Sequence, residues 1–262
     1  MSTDQLLAYL TSLEQIARQS PEDGSVPFVI GKRQCGFVSP RAATVLKGQC
    51  LALNQDGRIV LSQEDALDEQ LARIAQTLLE GGCISKWRGE LLDVWCDNNV
   101  VGAIERGAVR SLGLLTRAVH LNAWSTNGEL WVARRALDKP TDPGMWDTLV
   151  GGLVGYGESD ELALERESAE EAGLSPLQIV QREPIQSIYQ MKRRVPEGFQ
   201  CEEVLTSDCV LADDVDPQNQ DGEVMEIACL PIPEIESMLF SGQFTLEASI
   251  VIVQSLLARQ AL

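Results

Sequence analysis

The 262-residue chain contains one histidine, His120, and no two cysteines in a C-x-x-C spacing. A single imidazole excludes a histidine-rich metal centre and any repeated Ser-His-Asp arrangement. The seven cysteines are odd in number and scattered, which speaks against a zinc ribbon and a disulfide framework. They are expected as reduced, largely buried thiols. Basic residues are also scarce: 21 Lys and Arg face 39 Asp and Glu, for a formal charge of −18. A nucleic-acid binder or a polybasic membrane-surface protein needs the opposite balance. The sequence has no run approaching ~18 apolar residues and so no expected transmembrane helix. The opening MSTDQLLAYLTSLEQ lacks the basic and apolar regions of a secretory leader. The expected location is therefore the cytoplasm. Repeats and low-complexity tracts are absent, and 44% hydrophobic with 23% charged residues is ordinary globular composition.

At about 150 residues per domain, the length suits one large or two small domains. Apolar spacing predicts helices over 4–19, 62–80, 159–172, 234–240 and 246–259, with a helical turn over 106–112. Strands are expected over 26–30, 35–38, 90–95, 102–105, 185–191, 204–211 and 222–230. Asn54-Gln55-Asp56-Gly57 between 51–53 and 58–61, and Thr126-Asn127-Gly128 between 119–124 and 129–133, read as hairpin turns. This succession favours an α+β or mixed α/β fold. A change of style near Gly113 to Thr116 suggests an α+β N-terminal domain, 1–113, and a second domain, 114–262.

The most informative stretch is Gly152 to Leu174, GLVGYGESDELALERESAEEAGL. At 100° per residue, Glu167, Glu170 and Glu171 share about a 100° arc of a helix, with Leu162, Ala169 and Ala172 roughly opposite as the packing face. Like charges at i,i+4 repel, so something must offset them. Hard divalent cations such as Mg²⁺ or Mn²⁺ prefer such oxygen ligands and bridge to phosphates. Arg166 on the flank is suited to a bidentate carboxylate pair. Taken alone, an acidic helix face most often marks solvated surface.

The ordered spacing resembles the Nudix box, G-x5-E-x7-R-E-U-x-E-E-x-G-U, with U a bulky apolar residue. Gly152, Glu158, Arg166, Glu167, Glu170, Glu171, Gly173 and Leu174 match; Ser168 stands at the first U. That position normally packs under the helix, so Ser168 is expected to weaken the packing. The resemblance implies an α/β/α sandwich with a mixed sheet, and hydrolysis of a diphosphate in a small-molecule substrate. It implies Glu167, Glu170 and Glu171 as metal carboxylates, with Glu158 and the Gly152 carbonyl in support and Arg166 holding the glutamates. Glu223, in QDGEV, is a candidate for a further metal or base role, or an ordinary charged residue at a strand start. A homodimer is implied by the resemblance alone.

Outside the box the chain is similar to a Nudix branch with an extra N-terminal domain, also found fused ahead of thiamine pyrophosphokinase in some fungi. The similarity is carried by WRGELLDV (87–94), IERGAVRSLG (104–113), HLNAW (120–124), LWVARRALDKPTDPGMWDTLVGG (130–152) and QDGEV (220–224). It implies thiamine diphosphate, or its oxidised or toxic analogues, as substrate. Nucleotide sugars and dinucleotides are the alternative substrates, and a non-catalytic ligand sensor the alternative role. Isopentenyl diphosphate isomerisation needs a reactive cysteine with an acidic partner, which the scattered cysteines do not supply. Arg134, Arg135 and Lys139 are suited to diphosphate oxygens, or else form a solvated strand end. Trp87, Trp124 and Trp146 are candidates for stacking on a heteroaromatic ring, or core residues. For His120 a packed structural role is favoured over catalysis.

Overall fold

A computed structural model describes residues 2–48, 57–62, 66–139 and 141–261. The chain opens with α1 (Thr3–Ile16), capped by Ser2, whose hydroxyl accepts from the Gln5 N–H while the Gln5 side chain accepts from the Ser2 N–H. Then come β1 (Val26–Ile30), β2 (Arg33–Val38), α2 (Pro40–Gly48), β3 (Ile59–Leu61) and α3 (Leu67–Glu80). Strand β1 pairs antiparallel with β2 and parallel with β3. The hairpin expected around Asn54 lies largely outside the described residues. Helix α2 was not foreseen; its proline suits the first turn, where a backbone N–H has no helical partner. Strands β4 (Leu91–Cys96) and β5 (Asn99–Glu105) form a hairpin. A 3-10 turn, Arg106–Ala108, then leads into α4 (Val109–Leu112). Gly113, at φ 56°, ends that helix in the left-handed region that favours glycine. Phe28, Ile30, Leu46, Leu71, Ile74, Leu78, Ile104 and Leu112 share one core.

Beyond Gly113 follow β6 (Leu115–Trp124), β7 (Leu130–Arg135), β8 (Trp146–Thr148), β9 (Val150–Leu153) and α5 (Asp160–Ala172). The chain continues as β10 (Gln186–Val195), β11 (Gly198–Val210), β12 (Val224–Leu230), α6 (Ile232–Phe240) and α7 (Leu246–Gln260). They build a seven-stranded sheet in the order β10-β11-β6-β7-β12, with β8 against β7 and β9 against β6. The β11–β6 pair is parallel and its neighbours are antiparallel, so the sheet is mixed. One face, with Val119, Leu121 and Leu205, packs on Leu164 of α5. The other, with Trp124, Val132 and Val204, packs on Ile250 and Val253 of α7. The result is an α/β/α sandwich beside a smaller α+β unit. Strands β8 and β9 carry no strand signal in the sequence because they are three and four residues long and β9 is half glycine.

Two arrangements differ from the sequence reading. Helix α1 packs with the C-terminal core: Leu6, fully buried, and Leu13 join the cluster around α7. The Gln19 N–H and the Ala17 carbonyl bond the backbone of Lys192 in β10. An amphipathic stripe states that a helix packs, not against what. Cys35 and Cys96 form a disulfide, with Cα atoms 5.0 Å apart, so not all the cysteines are reduced thiols. The pairing of β2 with β4 in space joins residues that sit 61 positions apart, which no local spacing reveals. Among the described residues no helix is long and apolar enough to cross a membrane.

Replacing Leu6 by Ala is expected to lower the stability of the whole protein by about 3 kcal/mol, as for a fully buried leucine. Denaturant unfolding followed on the C-terminal core checks this. A loss below about 0.5 kcal/mol would mean that α1 contributes little to that core.

Candidate active site

Ser159 starts α5 by accepting the Leu162 N–H at 3.3 Å, and Gly173, at φ 66°, stops it. The buried side of α5 is Ala163, Leu164, Ser168 and Ala172 together with Glu171. Leu162 and Ala169, expected on the packing face, are exposed. The helix is rotated so that Glu171 and Glu167 turn toward β9, which a count of apolar residues does not anticipate. Ser168 is fully buried, as expected of its position, and its hydroxyl meets no partner among the described residues.

Glycines on β9 receive the two glutamates. The Gly151 N–H donates to Glu171 Oε2 at 2.8 Å. A Cβ on Gly152 would stand 2.0 Å from the Glu167 carboxyl carbon, so any larger residue there must displace the Glu167 side chain. Burial pushes the Glu171 carboxyl up to about 8, and the neighbouring Glu167 charge adds to this. Burial also raises Glu167, against the pull of Arg166. The Arg166 guanidinium grips Glu158 through two bonds of 2.9 Å, Glu167 at 2.7 Å and Glu170 at 3.2 Å, and donates to the Leu153 carbonyl at 3.1 Å. Glu158 also accepts the Gly155 N–H at 2.9 Å. Its carboxyl is held low, chiefly by the Arg166 hydrogen bonds.

The loop before β12 folds over the end of α5: the Gln218 and Gln220 N–H groups donate to the Ala172 and Glu170 carbonyls. This brings Glu223 to the site, in an ion pair with Lys139. Burial pushes Glu223 up, but Lys139, Arg106 and Arg88 outweigh it and hold the carboxyl low.

These groups line a cleft of about 570 Å³. Its second wall comes from the smaller unit: Lys86, Arg88, Glu90, Arg106 and Arg110. Arg106 pairs with Glu90 at 2.6 Å; Lys86 and Arg88 make no ion pair among the described residues. The smaller unit also grips the loop ahead of α5. Asp93 accepts the Gly157 N–H at 3.1 Å, and the Leu91 carbonyl accepts the Tyr156 N–H at 2.8 Å. No signal confined to the glutamate motif points to these residues, although WRGELLDV and IERGAVRSLG contain most of them.

The expected site residues Gly152, Glu158, Arg166, Glu167, Glu170, Glu171 and Glu223 all line the cleft, with Arg135 and Lys139. Arg134 does not: it donates to the Gly144 carbonyl, pairs with Glu226 and lies over the Trp146 ring. Arg135 is already paired with Asp147 at 3.0 Å. None of the three tryptophans lines the cleft. Trp124 is a core residue whose indole N–H donates to Asp208, and Trp87 is exposed elsewhere. His120 is buried and hydrogen-bonded to Thr148, as a structural role requires, yet it also borders the cleft.

Residues 114–247, just over half the chain, match the NUDIX domain, and the chain belongs to the Nudix family. It is a pyrophosphohydrolase of the Nudix hydrolase class, whose enzymes act on nucleoside-diphosphate-linked compounds and generally use divalent metal ions. It is 27% identical to "Nudix hydrolase 20, chloroplastic" of Arabidopsis thaliana, over 97% of this chain and 74% of that protein. It is 26% identical to "Nudix hydrolase 24, chloroplastic" of the same plant, over 100% and 75%. Among solved structures, the MutT protein from Methanosarcina mazei Go1 is 21% identical, with a TM-score of 0.43 over 56% of this chain and 95% of that one.

Two substitutions separate geometry from stability. Gly152→Ala is expected to cut turnover at least about 100-fold by displacing Glu167, while circular dichroism stays native, because the clash is with a side chain. Ser168→Ala removes a buried unpaired hydroxyl and should raise the unfolding free energy by about 1 kcal/mol, a Tm gain of ~2–4 °C.

Proposed function

We propose that the cleft hydrolyses the diphosphate of thiamine diphosphate, or of its oxidised or toxic analogues, to the monophosphate, using Mg²⁺ or Mn²⁺. The observation that carries the diphosphate chemistry is the buried pair Glu167 and Glu171 beside Gly151 and Gly152. Two like charges in a low-dielectric site call for a compensating cation. The donors are all hard oxygens, which suits these ions. Among the described residues no three acidic, His or Cys side chains already converge on one point suited to an ion. The guanidinium of Arg166 instead serves Glu167 and Glu170. The fit therefore rests on the chemistry of the donors rather than on a preformed cage.

Glu167, Glu170, Glu171 and the Gly152 carbonyl would hold the ion. When bound, it neutralises diphosphate oxygens and lowers the pKa of water. Arg166 keeps the carboxylates in register, with Glu158 as its anchor. Lys86, Arg88 and Arg106 face the box glutamates across the cleft and supply charge for the outer phosphate. Glu223, kept ionised by Lys139, is suited to accept a proton from the attacking water. The substrate reading is supported by similarity that extends outside the box through 87–94, 104–113 and 130–152. We assign the division 1–113 and 114–262 as two units that share this cleft, with α1 lent to the second.

A product-resolved screen with Mg²⁺, covering thiamine diphosphate, its oxo- and oxy- analogues, ADP-ribose, NADH and nucleotide sugars, tests this. Preferred release of the thiamine monophosphates is the expected result; cleavage of nucleotide conjugates alone would discard the thiamine assignment. Glu170→Gln should lower kcat by about 10²-fold or more with the fold intact. Near-wild-type turnover would remove Glu170 from the metal site.

A further inference from the structure

Strand β4 of the smaller unit borders the turn that precedes α5. Its residues alternate between two faces: Leu92 and Val94 enter the core of the smaller unit, and Asp93 lies on the other side. Asp93 is only 8% exposed, and it makes no ion pair among the described residues. Burying a carboxylate without a cation is costly. The strand does not need one for its own sake, because its ladder with β5 and the Cys35–Cys96 disulfide to β2 already hold it. What Asp93 holds is the Gly157 N–H, at 3.1 Å.

Residues 155–158 form a closed turn. The Glu158 N–H donates to the Gly155 carbonyl at 3.1 Å, and Gly157 takes a positive φ of 69°, which the third position of a turn leaves open to glycine. The other N–H groups of the turn are all engaged as well. That of Gly155 stays inside the turn, on Glu158 Oε2 at 2.9 Å. Those of Tyr156 and Gly157 leave it for β4, reaching the Leu91 carbonyl at 2.8 Å and Asp93 Oδ1. Both middle residues of the turn therefore hang on the smaller unit. The last residue of the turn is Glu158, and it anchors Arg166 through two bonds of 2.9 Å. The same guanidinium reaches Glu167 at 2.7 Å and Glu170 at 3.2 Å. Glu158 thus draws Arg166 away from the two carboxylates that a cation would use. A guanidinium released from that anchor settles on Glu167 and Glu170 and competes with the cation for their oxygens.

We propose that Asp93 is a positioning residue for the cation site. It fixes the 155–158 turn, the turn fixes Glu158, and Glu158 fixes how closely Arg166 approaches Glu167 and Glu170. The smaller unit thereby sets the affinity of the glutamate helix for its divalent ion, although it contributes no ligand. The inference rests on the metal-dependent reading of the cleft, and it is measurable without turnover.

The test is titration of the full-length protein with Mn²⁺, reading the free ion by electron paramagnetic resonance. Asp93→Ala should weaken Mn²⁺ about 10-fold, the low end of what removing an outer partner of a metal ligand does. Asp93→Asn keeps an oxygen for the Gly157 N–H and should stay within about 2-fold of wild type, a rescue that tracks the hydrogen bond rather than the charge. In a Glu158→Ala background, Asp93→Ala should add no more than about 2-fold, because residues acting in one chain are not additive. Asp93→Ser, too short to reach Gly157, takes the place of the alanine variant if that one does not fold. Wild-type affinity in the folded alanine or serine variant, an asparagine variant as weak as either, or a full additional loss in the Glu158→Ala background overturns the positioning role. Failure of the underlying reading looks different: the wild-type protein itself would bind no Mn²⁺, and the proposal would fall with it. Absence of hydrolysis in the Mg²⁺ screen alone, with the Mn²⁺ pattern as expected, would overturn the hydrolase reading and leave the positioning role standing.

Discussion

Everything around the cleft depends on one guanidinium. Arg166 holds Glu158, Glu167, Glu170 and the Leu153 carbonyl from a single planar group. Without that positive charge, Glu167 and Glu171 would be two mutually repelling carboxylates, eased by the Gly151 N–H and by the charges of Lys139 and Arg106. A lysine would not replace it, because the five donors of arginine lie in one plane and reach several oxygens at once. The glycines of β9 serve the same end from the other side. They bring backbone close enough to α5 for the carboxylates to lie against the strand.

The smaller α+β unit is part of this arrangement rather than an appendage. It holds the loop ahead of α5 through Asp93 and Leu91 and furnishes the basic wall opposite the glutamates. In a chain of formal charge −18, a cleft that accepts a diphosphate must gather its few cations. The cations of the sandwich that line the cleft are already engaged: Arg135 with Asp147, Lys139 with Glu223, Arg166 with Glu158, Glu167 and Glu170. Lys86 and Arg88 come from outside the sandwich. The two units are further tied by the Ser111 hydroxyl on the Glu197 carbonyl and by Gly198, whose Cβ, if present, would meet the Arg110 carbonyl at 2.2 Å.

Much of this was legible in the residues. The β1, β6–β7 and α5 assignments, the α7 span and the cluster of box glutamates follow from local periodicity, capping and motif spacing. Such signals act over a few residues and survive folding unchanged. Reading failed where the determinant was distant. The α5 packing face was misassigned because Glu171 is buried by a bond to Gly151, twenty residues earlier in the chain. Arg134 looked equivalent to Arg135, yet strand alternation turns it toward Trp146 and away from the cleft. Of the two roles open to the tryptophans, Trp124 takes the core one, which packing across the sheet decides.

By itself, the sequence determined the mixed α/β character, the acidic helix with its arginine, and the glycines that the helix requires. Those are properties of residue type at fixed spacing. Only the tertiary structure decided that α1 belongs with α7 and that Cys35 meets Cys96. It also decided that the basic wall comes from 86–110 and that His120 and Glu247 border one cleft. Each of these contacts joins residues tens to hundreds of positions apart. Their partners are selected by the packing of whole faces, which no short window of sequence contains.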